Sequence, residues 1–164
     1  MYLDYRKIIF PVLTVLWMIV IFWFSSAPAE ESTDMSRSVG RTVAKYLVPD
    51  YEEWTLEEQA VFAEKIDHPI RKTAHAGEYA LLGMLIMGSL GAFRMTGVRR
   101  NVTAWILASI YAAGDEIHQL FVAGRSGQAS DVALDSAGAA AGILAYFVIA
   151  YLIDRKTRCC GRNS

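Results

Sequence analysis

Cysteine is almost missing from this chain, and its only two copies, Cys159 and Cys160, are adjacent. Neighbouring cysteines cannot cross-link distant parts of a fold, so a disulfide framework is excluded. The remaining interpretations are a pair of inert reduced thiols or lipidation beside a membrane helix. The sequence also lacks internal repeats and low-complexity runs. Its basic residues flank apolar runs instead of forming a patch, which gives no support to nucleic-acid binding.

Apolar residues are what the chain has in excess. Over 164 residues, 54% are hydrophobic and the mean hydropathy is +0.26, which is high for a soluble domain. A transmembrane helix needs roughly 17–25 predominantly apolar residues. Four runs meet that length, and they are about 8–24, 74–93, 102–122 and 132–153. We therefore predict an all-α, polytopic membrane protein of one domain, residues 1–164, with four transmembrane helices.

The basic residues beside these runs indicate how the chain crosses the membrane. They lie before the first run, after the second and after the fourth: Arg6 and Lys7; Arg94, Arg99 and Arg100; Arg155, Lys156, Arg158 and Arg162. The positive-inside rule places all three groups in the cytoplasm, so both termini are predicted to be cytoplasmic and residues 25–73 extracytoplasmic. The alternative for the first run is a cleaved signal peptide, because Ala27-Pro28-Ala29 resembles a cleavage site.

The extracytoplasmic segment carries signals for two short helices. Residues 35–47 are apolar at helical spacing, and residues 32–34 offer caps, which predicts a helix along the membrane surface. Thr55 and Glu58 form a capping box, which predicts a second helix from Leu56 to about Lys65. Asp67-His68-Pro69 is then expected to break the chain before the second span. We interpret the two helices as a lid on the outer face.

Polar residues cluster at the predicted outer ends of three spans. Helical spacing gives each span a polar face of its own: His75, Glu78 and Tyr79 in the second; Asp115, His118 and Gln119, beside Glu116, in the third; Asp131 and Asp135 in the fourth. Asp115 is expected about 10 Å below the end of its helix near Val122. Gly138 and Gly142 continue the face of the fourth span as a small-residue stripe, interpreted as close helix packing.

Acids outnumber the nearby fixed cations in this cluster. A carboxylate in low dielectric must be protonated, paired or bound to a cation, which leaves three interpretations. The first is a structural hydrogen-bond network. The second is a divalent metal site, for zinc or manganese, with candidate ligands His75, Glu78, Asp115, His118 and Asp131. The third is a pocket open to the outer leaflet, with catalytic candidates Glu78, Asp115, Glu116 and His118.

Arg125 lies in the turn Ala123-Gly124-Arg125-Ser126-Gly127 between the third and fourth spans. Its guanidinium and the free amides of the turn suit an anionic group such as phosphate. The alternative is an ordinary hairpin turn in which Arg125 neutralises Asp131 or Asp115. The full set of candidate binding residues is His75, Glu78, Tyr79, Asp115, Glu116, His118, Gln119, Arg125, Ser126, Asp131 and Asp135.

Two stretches of this chain resemble the VanZ-like proteins, a family named for a teicoplanin-resistance protein. The first is Arg71-Lys72-Thr73-Ala74-His75-Ala76-Gly77-Glu78-Tyr79, and the second runs from Asp115-Glu116-Ile117-His118-Gln119 through Gly124-Arg125-Ser126-Gly127 to Asp131 and Asp135. The order and spacing of the motifs make the resemblance specific. Ala76 departs from the pattern, which often has an aromatic residue there. The resemblance implies a small multi-span protein of the bacterial cytoplasmic membrane, some of whose relatives lower susceptibility to teicoplanin.

Two functions follow as hypotheses. In the first, the pocket binds a membrane lipid head group, a lipid-linked cell-wall precursor or the lipoglycopeptide itself, and so contributes to teicoplanin-type glycopeptide resistance. In the second, the protein is a hydrolase or transferase that uses a metal or acid-base chemistry on an outer-leaflet substrate. No serine or cysteine in the sequence is placed as an evident nucleophile.

Overall fold

Long helices make up nearly all of the chain that can be described. A computed structural model describes residues 4–160, with side chains except at 154 and 157–160, so the cysteine side chains and the basic side chains of residues 158 and 162 lie outside it. The helices are α1 (Arg6–Ser25), α2 (Ala29–Leu47), α3 (Leu56–Ala92), α4 (Gly97–Gln119) and α5 (Ala129–Cys160), with a short 3₁₀ turn at Tyr51–Glu53. Residues 4–160 contain no strand, in agreement with the all-α prediction.

α3 lies at the centre of the bundle and packs against each of the other four helices. The backbones of α1 and α4 approach each other at few positions, but side chains join the two helices, as where Tyr111 of α4 donates to the carbonyl oxygen of Met18 in α1 at 2.7 Å. Small residues in α4 and larger ones in α3 fill the core between α3, α4 and α5: Tyr79, Leu82, Ile86, Met87, Ala104, Ala108, Ala112, Ala139 and Ile143, with Ile21 from α1. Because every other helix packs on α3, its position sets theirs, including the positions of the helices that form the polar end of the bundle.

Within residues 4–160, two helices are long and apolar enough to cross a membrane, namely α1 and residues Ala129–Ile153 of α5. Only 17% of the apolar window of α1 and 22% of that of α5 is buried in the protein, so both present apolar surface outward. α3 and α4 are not apolar enough to meet the same criterion, so two of the four predicted spans are not confirmed. The physical reason is that His75 and Glu78 in α3, and Asp115 and Glu116 in α4, lower the hydropathy of their helices.

The predicted break at Asp67-His68-Pro69 is wrong, because α3 runs without interruption from Leu56 through Pro69 to Ala92. An interior proline removes a hydrogen bond and typically costs about 3 kcal/mol. Packing against α2 offsets this cost: Asp67 accepts a hydrogen bond from Ser36 and pairs with Arg71 at 2.7 Å. The capping box at the start of α3 is confirmed, since Thr55 and Glu58 bond each other's backbone amides.

α2 begins earlier than predicted. It starts at Ala29, so Ser32 and Asp34 lie inside the helix and do not cap it. Glu30 and Glu31 occupy the first turn, where their charges favour the positive end of the helix dipole. α2 packs on the amino-terminal half of α3, where Gly40 lets the helices approach: a Cβ at that position would lie 3.0 Å from Cδ1 of Ile70.

The predicted glycine stripe of α5 is a close helix contact. A side chain at Gly138 or Gly142 would collide with the carbonyl oxygen of Ala76 or Ala80, respectively, in α3. The same holds from the other side, where a Cβ at Gly83 of α3 would lie 2.6 Å from the carbonyl oxygen of Ala139 in α5. The backbones of α3 and α5 therefore touch, and this contact brings the start of α5 beside the middle of α3.

Candidate functional site

A small polar cavity lies at the end of the bundle where α4 stops and α5 begins. Its volume is about 120 Å³. Residues from α2, α3, α4, α5 and the α4–α5 connection line it: Ala29, His68, Arg71, Lys72, His75, Glu116, Gln119, Gly124, Arg125, Ser126, Gln128, Asp131, Leu134 and Asp135. Three long helices thus contribute polar side chains to one space, in the arrangement that the sequence suggested.

Seven of the eleven candidate binding residues line this cavity. They are His75, Glu116, Gln119, Arg125, Ser126, Asp131 and Asp135. The other four, Glu78, Tyr79, Asp115 and His118, do not. Only one of the four catalytic candidates, Glu116, therefore reaches the cavity.

Asp115 and Glu116 are both buried but point in different directions. An oxygen of Asp115 lies 3.4 Å from Nε2 of Gln119, which also donates to Oγ of Ser25 in α1 at 3.0 Å. Oε2 of Glu116 accepts a hydrogen bond of 2.8 Å from the backbone amide of Gln128, which ties α4 to the start of α5. Because α4 ends at Gln119 and not near Val122, Asp115 is about 6 Å from the helix end, nearer than the predicted 10 Å.

The remaining candidates serve the packing of the bundle. Tyr79 is fully buried in the core, where its ring lies 6.3 Å from that of Tyr111. Glu78 lines a second depression, bordered by α1, α2 and α3, which shares Arg71 and His75 with the cavity. The backbone carbonyl of Glu78 accepts a bond from the indole of Trp17 at 2.9 Å. The ring of His118 stacks on Phe22 of α1 at 4.5 Å. These placements correct the expectation that all eleven residues form one site.

Ser26 and His118 form a contact that resembles a nucleophile and its base. Nε2 of His118 lies 3.1 Å from Oγ of Ser26, but this hydroxyl also donates to the carbonyl oxygen of Phe22 at 2.6 Å. While Oγ of Ser26 donates to Phe22, its one proton is not available to His118, so Nε2 of His118 is the donor in this arrangement. The contact joins Ser26, at the end of α1, to α4.

Three fixed cations surround the cavity. Lys72 pairs with Asp131 at 2.7 Å, while Arg71 pairs with Asp67 and also donates to Oγ1 of Thr33 at 3.0 Å. One alternative for Arg125 was an ion pair with Asp131 or Asp115; Lys72 holds Asp131 instead, and Arg125 pairs with neither acid among the described side chains. The sequence places Arg71 and Lys72 near the polar cluster as fixed cations, and the structure lines the cavity with both, but their carboxylate partners were not predicted.

Arg125 differs from the other two cations because it makes no ion pair with any residue whose side chain the structure describes. Its Nε donates to the carbonyl oxygen of Ala27 at 3.1 Å, and its Nη2 approaches that of Phe24 at 3.4 Å. Burial lowers the pKa of the Arg125 guanidinium, as does the nearby Arg71, and neighbouring carboxylates oppose that shift. Arginine nevertheless keeps its charge in proteins. The connection between α4 and α5 therefore holds, at the cavity rim, a cation that no described carboxylate pairs with directly.

Four further lining residues were not predicted to belong to the site: Ala29, His68, Gln128 and Leu134. His68 was read as part of a chain break, which hid that it lies two turns before His75 on one continuous helix. Gln128 contributes through its backbone amide, which the sequence does not reveal.

The five candidate metal ligands are not assembled into a metal site. Within the described residues, no group of three or more histidine, cysteine, aspartate or glutamate side chains is placed to hold a metal ion. His75 and Asp131 line the cavity, whereas Glu78, Asp115 and His118 face elsewhere. The residues present do not fit a divalent ion, so no step of the proposals below involves one.

Comparison with known proteins gave one match. A family model described as VanZ/LLP1 matches residues 10–150, which is most of the chain. Neither a search of curated proteins nor a search of solved structures found a significant match. The matched region contains all five helices in whole or part and every residue that lines the cavity.

Proposed function

This chain belongs to the VanZ/LLP1 family, and from that premise we propose that its cavity binds the phosphate of a membrane-anchored head group. The observation that carries the proposal is Arg125, a half-buried guanidinium at the rim with no carboxylate partner among the described side chains. Most of its N–H donors remain free, and guanidinium binds phosphate oxygens in pairs. Lys72 and Arg71 add positive charge at the same rim.

The membrane position supports a lipid-borne ligand. Two apolar helices and the family indicate a membrane protein. We extend this to a multi-pass bacterial protein in which α1, the second half of α3, α4 and α5 all cross, with both termini cytoplasmic. α3 has 37 residues and is about 55 Å long, whereas the hydrocarbon core is about 30 Å thick. Its first turns and α2 therefore project beyond the membrane on the cavity side.

The size of the cavity limits which ligands it can hold. Pockets that enclose a drug-sized molecule have volumes of about 300–1,000 Å³, whereas this one holds about 120 Å³. A phosphate with a short polar substituent fits such a space, and a whole lipoglycopeptide does not. The lipid head groups and lipid-linked cell-wall precursors share that phosphate, so we favour them over direct capture of teicoplanin.

Binding of phosphate-bearing lipids to purified protein tests the proposal. We expect Arg125→Ala to weaken binding of an anionic phospholipid on the order of tenfold to a hundredfold, because charge-assisted hydrogen bonds are lost. Arg125→Lys should retain part of the affinity, since lysine keeps the charge but not the paired donors. Lipid titration in detergent, followed by native mass spectrometry, gives the measurement.

Arg41→Ala is the matched control, because it removes an exposed cation from α2 away from the cavity. Equal lipid binding by wild type, Arg125→Ala and Arg41→Ala would contradict the proposal. The same three variants, expressed in cells at equal levels, also test the resistance role: teicoplanin susceptibility should change with Arg125→Ala alone.

A further inference from the structure

Asp135 is the most unusual residue of the cavity. It is only 1% exposed, and neither of its carboxylate oxygens accepts a hydrogen bond from any side chain or backbone group of the described residues. Buried polar groups in folded proteins are nearly always hydrogen-bonded, because an unpaired one is costly. Asp135 lines the cavity, so the space in front of it is where a donor can sit.

Among the described residues, no fixed cation pairs with this carboxylate. Lys72 is held by Asp131 and Arg71 by Asp67, and Arg125 donates to the backbone carbonyl of Ala27. Glu116, another acid of the lining, accepts from a backbone amide and brings no positive charge. The lining also holds donors such as His75 and Gln119, but none of the described groups bonds to Asp135.

A metal ion does not meet this need, since no three potential ligands are grouped among the described residues. An organic ammonium does, because its N–H groups can be held by one or two carboxylates without a closed coordination shell. The second half of the ligand would therefore be an amine.

The fixed cations and the unpaired carboxylate of Asp135 lie at different depths along the helices. Asp131, with its partner Lys72, and Arg125 lie at the rim, and Asp135 lies one helical turn, about 6 Å, further into the bundle. On α3, His75 is likewise deeper than Lys72. A ligand that enters from the rim thus meets the fixed cations first and the unpaired carboxylate last.

We propose that the cavity binds a phosphoethanolamine group, with its phosphate at Arg125 and its ammonium on Asp135. The inference rests on the proposed phosphate binding and adds the identity of the head group. In this head group the phosphate and the ammonium are joined by a short carbon chain, so one ligand supplies both an anion for Arg125 and a donor for Asp135. The volume of about 120 Å³ suits this head group.

The test compares two lipids that share a phosphodiester. Phosphatidylethanolamine carries the ammonium, whereas phosphatidylglycerol carries neutral hydroxyl groups in its place. Purified wild-type protein should bind phosphatidylethanolamine about tenfold more tightly, as expected for one buried charge-assisted bond. Asp135→Asn should reduce this ratio to about one or below, and Glu116→Gln should reduce it in part. Asp34→Asn, an exposed acid of α2, should keep the wild-type ratio.

The wild-type measurement distinguishes failure of this inference from failure of the proposed phosphate binding. Equal affinity for the two lipids would overturn the inference and leave phosphate binding intact, whereas binding of neither lipid would overturn the proposed function as well. A preference that persists in Asp135→Asn would also overturn the inference. Free O-phosphoethanolamine then distinguishes the sources: if it displaces bound lipid from wild type, the head group alone is recognised, and if it does not, while the lipid preference holds, the ligand is the membrane lipid.

Discussion

Asp115 and Glu116 are adjacent in α4 but point in different directions, and only Glu116 reaches the cavity. Ala104, Ala108 and Ala112 recur every fourth position in α4, are fully buried, and mark the face that meets α3 and α5. Glu116 is the next residue in this series and so reaches the cavity. The spacing of Asp115 to His118 and Gln119 suggested a different shared face. The alanine series was the stronger signal, because small residues at i, i+4 indicate where a neighbouring helix lies.

A single carboxylate also gives a pH-dependent helix end. Hydrogen bonds from the backbone amide of Thr55, and then from its hydroxyl, hold the pKa of Glu58 below its usual value. A carboxyl group with a lowered folded-state pKa stabilises the fold above its unfolded pKa, and this contribution is lost as the pH falls through the folded value.

We therefore predict that the first turn of α3 frays as the pH falls below the ordinary range of glutamate. The protection of the amides of residues 57–60 against hydrogen exchange, measured relative to the intrinsic exchange rate at each pH, should fall there in the wild type. In Glu58→Gln the exchange should already be faster at neutral pH and should lack this pH step. The exposed neighbour Glu57→Gln is the control, and an identical pH profile for both variants would contradict the role of the cap.

At the scale of elements, α3 and α5 show how packing between helices can override local sequence preferences. The α3–α5 contact depends on glycine, since a side chain at Gly142 would collide with the carbonyl of Ala80. α3 also continues through Pro69, where local rules predicted an end. The preference of proline is a local term of a few kcal/mol, and the packed α2 with its Ser36–Asp67–Arg71 contacts is enough to override it.

Gly142→Ala should lower the thermal unfolding midpoint of the purified protein. Overpacking a close contact typically costs about 1–3 kcal/mol, and here the colliding atom is backbone, which cannot turn away. Gly77→Ala in α3 is the matched control, because no atom lies within 4 Å of its added Cβ. There the higher helix propensity of alanine, about 1 kcal/mol, predicts an unchanged or raised midpoint. A midpoint for Gly142→Ala at or above the wild-type value would show that α5 does not press against α3.

For the whole molecule, the distribution of charge predicts its orientation. Basic residues flank α1, the α3–α4 connection and the end of α5, whereas α2 and the start of α3 carry the acidic outer segment. The cavity lies at the same end of the bundle as that segment. If the basic ends lie in the cytoplasm, as the positive-inside rule predicts, the cavity faces outward, and this orientation is our prediction.

Labelling of single cysteines tests this orientation. With Cys159 and Cys160 replaced by serine, Glu57→Cys in the outer segment should react with a membrane-impermeant maleimide in intact cells. Arg99→Cys, in the first turn of α4, should react only after the membrane is made permeable. Both positions are exposed in the structure, so access across the membrane decides the result. Labelling of Arg99→Cys in intact cells, with Glu57→Cys protected, would invert the topology.

The sequence by itself determined the helical class, the apolar helices α1 and α5, the capping box of α3 and the family, because hydropathy, capping chemistry and motif order are local properties. It also pointed to the ends of three helices as a common polar region. Only the tertiary structure decided which side chains share the cavity: it placed Glu116, Lys72 and His68 there and directed Tyr79 and His118 into packing contacts. The direction of a side chain depends on helix rotation and on the neighbours it meets, and both are set by packing between helices.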